Sequence, residues 1–147
     1  MTSGFERAER TFIIAGAAGA FLGVAGGAFG AHVLRRWIPG DRLEFFEVGV
    51  RYQLLHSLAL FAVAWVVSRS PSRSANAAGW LFVAGIVLFS GSLYAFAGTG
   101  VKTFGALTPL GGLALLSGWA LLGFSAARSG SDPRGDGRPR SPVSSPR

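Results

Sequence analysis

Four long apolar stretches, separated by short polar ones, set the plan of this chain. The first runs uncharged from Thr11 to Ala31, after a polar leader over 1–10 that carries Glu6, Arg7, Glu9 and Arg10. Roughly 20 apolar residues are what a helix needs to cross a bilayer core, and that is more than the roughly 7 to 15 of a signal-peptide core. The stretch is therefore read as a retained span over 11–31, although Ala28-Phe29-Gly30-Ala31 resembles a cleavage site. Further spans are predicted over about 50–67, 77–97 and 105–126, the last tolerating Pro109 in its first turn. From 127 to 147 the chain turns to Ser, Gly, Pro and Arg, which cannot bury apolar area, so a disordered basic tail is expected.

Inside the spans the small residues form lines. At 100° per residue Gly16, Gly19, Gly23, Gly26, Gly27 and Gly30 fall within one arc of about 100°, giving the first span a glycine face. Gly111, Ala114 and Gly118 make a similar line in the fourth. Such faces let helix backbones approach closely where lipid removes the hydrophobic drive to associate. Packing within the protein's own bundle is favoured over a dedicated dimer face. His32, just past the first span, points away from the glycines and reads as an interfacial histidine.

The segment 33–51 is amphipathic. Pro39-Gly40 breaks the chain, and Asp41 with Glu44 three residues on resembles an N-capping arrangement. Glu44, Glu47 and Arg51 form a polar stripe, with Glu47 and Arg51 at the favoured i, i+4 spacing of an interfacial ion pair. A short interfacial helix that continues into the second span is predicted. On that span Gln53 and His56 share a face, whereas Arg51 lies about 160° from Gln53 and reaches toward head groups.

The third span carries Ser90, Ser92 and Tyr94. A membrane-buried polar side chain needs a partner or a hydrated cavity, so Gln53, His56, Ser90, Ser92 and Tyr94 are the candidate polar cluster. An antiparallel four-span topology brings them, with His32 and Thr108, into one half of the bundle. A satisfied contact between helices is the favoured reading of His56, and hydroxyls returning a bond to their own backbone compete for Ser90 and Ser92.

Composition agrees with a bilayer as solvent: 50% hydrophobic and 14% charged residues, with a mean hydropathy of +0.42. The net charge of +7 does not point to nucleic acid, because the basic residues lie in loops and tail. Nine of the 14 Lys and Arg residues fall on the side of the termini, which predicts both termini to be cytoplasmic. With no cysteine, disulfides and thiolate sites are excluded. Phosphate-cradling motifs, paired His at metal-ligand spacing and carboxylates within a span are also missing, so no metal, cofactor or catalytic residue is assigned.

Four segments together resemble the signature of one bacterial family: Gly27-Ala28-Phe29-Gly30-Ala31-His32, Arg51-Tyr52-Gln53-Leu54-Leu55-His56, Leu88-Phe89-Ser90-Gly91-Ser92-Leu93-Tyr94, and Thr108-Pro109-Leu110-Gly111-Gly112 with Gly118-Trp119. It is the family called domain of unknown function 423, with eukaryotic relatives named transmembrane protein 256. The resemblance covers about Phe12 to Ala126. It implies a multi-pass bacterial inner-membrane protein without an established function, and supplies no catalytic residue. The expected object is an all-α four-helix transmembrane bundle, not an enzyme. Its favoured role is structural or accessory, packing through Gly19, Gly23, Gly26, Gly27, Gly30, Gly111 and Gly118, with the bilayer and a homo-oligomer or larger membrane complex as partners. The alternative is a small binding or transport module with a polar cavity in the outer half.

Overall fold

A computed structural model describes residues 2–129. Residues 130–147, most of the expected basic tail, lie outside the described residues. Four long helices account for the fold: α1 (Thr2–His32), α2 (Gly40–Arg69), α3 (Arg73–Thr99) and α4 (Thr108–Ser129), with 3₁₀ turns at Leu34–Arg36 and Lys102–Ala106. Each is long and apolar enough to cross a membrane. The architecture is an all-α four-helix membrane bundle.

The helices extend past the apolar runs because polar residues at their ends are good helix formers that need no burial. The leader is the opening of α1, and 31 helical residues span about 46 Å, well beyond the roughly 30 Å of a hydrocarbon core. The amphipathic segment after Pro39 is likewise the opening of α2, running into the span without a break at Val50. Its N-cap corrects the sequence reading. Pro39 occupies that position with no side-chain cap, and Asp41 lies inside the first turn, where its charge faces the positive end of the helix dipole. The preset φ of Pro39, −57°, starts the helix ahead of the carboxylate that was expected to cap it.

At the other end of the molecule, Ser72 caps α3 by accepting from the Ala75 backbone N–H at 3.2 Å. Its hydroxyl also meets that of Ser125 on α4 at 2.8 Å, tying the start of α3 to the end of α4. The opposite terminus of α3 closes on Gly100, whose φ of +74° is the left-handed conformation that glycine adopts without strain.

Packing follows chain order. α1 lies on α2, α2 on α3 and α3 on α4; α1 barely reaches α3, α2 barely reaches α4, and among the described residues α1 and α4 share no contact. The bundle is thus an open, staggered row rather than a closed ring. Its apolar core joins Phe12, Leu60, Val63, Val67, Phe82 and Leu115. Phe12, fully buried, crosses from α1 to α3, where its ring fills the space above Gly79 and meets Trp80 edge to face at 5.8 Å.

Candidate functional site

The glycine face of α1 receives α2 as a ladder. Gly16 sits against Phe61 and the Ser57 carbonyl, Gly19 against the Ser57 hydroxyl, Gly23 against Leu54, Gly27 against Val50 and Gly30 against Phe46. The face lies within the molecule's own bundle. α3 and α4 exchange knobs in both directions: Phe82 over Gly118, Phe89 over Gly111 and Leu115 over Gly85. At Gly111 an added Cβ would strike the Phe89 backbone itself.

Gln53 stands where three helices meet and is only 7% exposed. Its Nε2 donates to the Gly19 carbonyl of α1 at 2.8 Å, and its Oε1 accepts from the Tyr94 hydroxyl of α3 at 2.9 Å. Gly23 lies alongside the amide, where a Cβ would stand 3.7 Å from Nε2. Gly49 gives Tyr94 its place, since a Cβ there would lie 2.8 Å from the ring. The Phe46 ring leans on Tyr94 with centroids 5.0 Å apart.

His56 is 4% exposed but belongs to a different neighbourhood. Its Nδ1 lies 2.7 Å from the Tyr52 carbonyl, and a carbonyl only accepts, so Nδ1 carries a hydrogen and donates it. Aromatic rings surround it: Tyr52 stacked at 5.7 Å, Phe82 at 5.8 Å and Trp119 at 6.2 Å. Three residues along a helix turn a side chain by about 60°, enough to aim Gln53 at α1 and His56 at the α3–α4 seam. The shared wheel face does not become a shared site.

The hydroxyls divide as well. Thr108 donates to Ser92 at 2.8 Å, while Ser92 donates to the Phe89 carbonyl at 2.9 Å, linking the start of α4 to α3. Ser90 is buried, yet its Oγ has no hydrogen-bond partner among the described residues. His32 is exposed. The one polar cluster expected from sequence is therefore three separate features: Gln53 with Tyr94, Ser92 with Thr108, and His56 within an aromatic cage. The expected Glu47–Arg51 ion pair is corrected too. Both side chains are exposed and no ion pair forms between them, as solvation and side-chain entropy offset the small gain of a surface i, i+4 pair.

Sequence reasoning missed Ser57, fully buried against Gly19 with an Oγ that has no hydrogen-bond partner among the described residues. The available signal was its position one turn after Gln53, on the face that meets the glycines. Ser125 was missed as well, and nothing local announces its meeting with Ser72, 53 residues away in sequence. Among the described residues no group of three or more His, Cys, Asp or Glu is placed to share a metal ion.

Two apolar cavities adjoin these features. One, about 380 Å³, lies between α1 and α3 with Gln53 and Tyr94 in its lining. The other, about 500 Å³, lies where the start of α2, the end of α3 and the start of α4 meet.

Comparison with known proteins places this arrangement. Residues 26–112 match the family model described as "Protein of unknown function (DUF423)". The chain is 46% identical over 120 residues to the UPF0382 membrane protein YwdK of Bacillus subtilis (strain 168), covering 81% of this chain and 98% of that one. It is 44% identical to the UPF0382 membrane protein SAB0533 of Staphylococcus aureus (strain bovine RF122 / ET3-1), covering 77% and 92% of the two chains. Identity to the Staphylococcus saprophyticus protein SSP2132 is 42%, over 77% and 93%. No solved structure matches. The matched segment contains Gln53, His56, Tyr94 and the Ser92–Thr108 link together, and the chain that carries them belongs to the membrane-protein family of unknown function DUF423.

Proposed function

We propose that the protein is a structural or accessory component of the bacterial plasma (inner) membrane, with both termini cytoplasmic and no catalytic step of its own. The observation that carries this reading is the Gln53 junction, where one amide joins α1, α2 and α3 through hydrogen bonds to Gly19 and Tyr94. Interior polar groups that join helices hold a shape. The Ser92–Thr108 and Ser72–Ser125 bonds serve the α3–α4 pair at its two ends in the same way. The cytoplasmic placement of the termini rests on the nine basic residues of that side. The open row leaves Phe21, Leu22 and Val24 of α1 and Leu113 and Leu116 of α4 exposed, so a second copy or a larger membrane complex has two unpaired faces to meet.

Extraction into native lipid discs followed by identification of what co-purifies tests the reading. A reproducible membrane-protein partner or a stable homo-oligomer is expected. A monomer that travels alone, with activity that disappears on replacing His56, would sink it.

A second reading, a small binding or transport module, is favoured by the 380 Å³ cavity beside Gln53 and Tyr94. It predicts a small molecule retained by the wild type and lost on Tyr94→Phe.

A further inference from the structure

The 500 Å³ cavity differs from everything described so far in joining an aromatic slot to a cation. Phe45, Phe89, Leu93, Phe96 and Pro109 supply its walls, and among the described residues Lys102 is its only charged lining residue. Phe45 of α2 and Phe96 of α3 meet edge to face at 5.1 Å, closing one side. The Lys102 ammonium has neither a hydrogen bond nor an ion pair among the described residues. A second cation, Arg42, lies at the same corner, its Nη1 3.0 Å from where a Cβ on Gly100 would stand.

The volume falls in the range of roughly 300 to 1,000 Å³ usual for small-ligand sites. Along α3 the slot runs from Phe96 down to Phe89, a rise of about 10 Å. That depth accepts part of one acyl chain and no more, which favours a ligand whose remainder stays in the bilayer. The cavity lies at the bundle end opposite the termini, where the apolar run of α3 gives way to the turn that carries Lys102. Among the described residues no carboxylate is present in the lining to repel an anion.

We infer that this cavity binds an anionic glycerophospholipid of the surrounding leaflet, one acyl chain lying among Phe45, Phe89 and Phe96 and the phosphate held by Lys102, with Arg42 beside it. The basic residues supply the preference for an anionic head group, and burial of apolar surface against the aromatic walls supplies the hold on the chain. The inference goes beyond the scaffold reading and does not depend on it.

The test uses the full chain, delipidated in mild detergent and titrated with phosphatidylglycerol or phosphatidylcholine of identical acyl chains, with native mass spectrometry counting retained lipid. Phosphatidylglycerol should be retained about fivefold better, and Lys102→Gln should remove the preference. Arg35→Gln, which takes the same charge from the other loop at that end, should keep it. Gly105→Phe should lower retention of both lipids, because Gly105 lines the cavity and has open space around its Cβ position. Gly112→Leu is the second filling variant, its Cβ position meeting Phe89 at an ordinary 3.8 Å. Circular dichroism and elution volume identify the variants that remain folded. Equal retention of the two lipids by the wild type, unchanged retention in a folded filling variant, or equal losses in Lys102→Gln and Arg35→Gln would overturn the proposal. So would oleate displacing phosphatidylglycerol from the wild type at equal concentration.

Discussion

The two helix pairs of this bundle use glycine differently. On the α1–α2 seam the glycines sit on one helix and the side chains on the other, so α1 offers a smooth face to Phe46, Leu54 and Phe61. On the α3–α4 seam each helix both gives and receives, with Phe82 and Phe89 entering α4 and Leu115 entering α3. A one-sided seam can slide or re-pack when a knob rotates, because only one partner has shape. A two-sided seam fixes its own stagger, since moving either helix along its axis drives a knob out of its hole. The α1–α2 seam gains fixation of another kind from the Gln53 amide gripping the Gly19 carbonyl.

The contrast orders the expected cost of substitution. Gly111→Ala should be the most damaging, because its Cβ meets the backbone nitrogen and Cα of Phe89, which no rotamer change can move. A loss of about 3 kcal/mol is expected in a denaturing-detergent titration followed by circular dichroism. Near-wild-type stability would remove the two-sided seam from the account. Gly16→Ala comes next, at about 2 kcal/mol, since its Cβ would lie 2.9 Å from the Ser57 carbonyl oxygen of α2.

Gln53→Leu should cost about 1 kcal/mol, the scale of interhelical hydrogen bonds in membranes. A double-mutant cycle with Tyr94→Phe sharpens this. Coupling of several tenths of a kcal/mol is expected, and additivity would mean that the 2.9 Å contact contributes nothing to holding α2 on α3. Gly27→Ala should be the mildest, within about 0.5 kcal/mol of wild type, because its Cβ meets Val50 at 3.5 Å, an ordinary contact. A large loss there would show that the α1 face tolerates no side chain at all, and would erase the difference between the seams.

His56 and Gln53 illustrate what neighbours in sequence do and do not share. Both were legible as polar residues turned away from lipid, and both are buried. What surrounds each was not legible, because a helical wheel gives direction about one axis and says nothing of which helix stands in that direction. The open row sends Gln53 to α1 and Tyr94, and sends His56 to Phe82 and Trp119. Ser72 and Ser125 were illegible for a related reason: their bond depends on α3 and α4 being antiparallel and on how far each is shifted along the other.

The sequence by itself determined four spans, the helical class, the glycine line of α1 and the family, since each follows from local length, periodicity or motif. A run of roughly 20 apolar residues has no stable solution in lipid other than a helix, which leaves little for tertiary structure to add there. Only the tertiary structure decided that the row is open, that the glycines of α1 meet α2, that the polar cluster is three separate features, and that Lys102 stands beside an aromatic cavity. Those outcomes depend on which helices touch and at what stagger, and both are set by the joint fit of knobs, holes and hydrogen bonds from segments far apart in the chain.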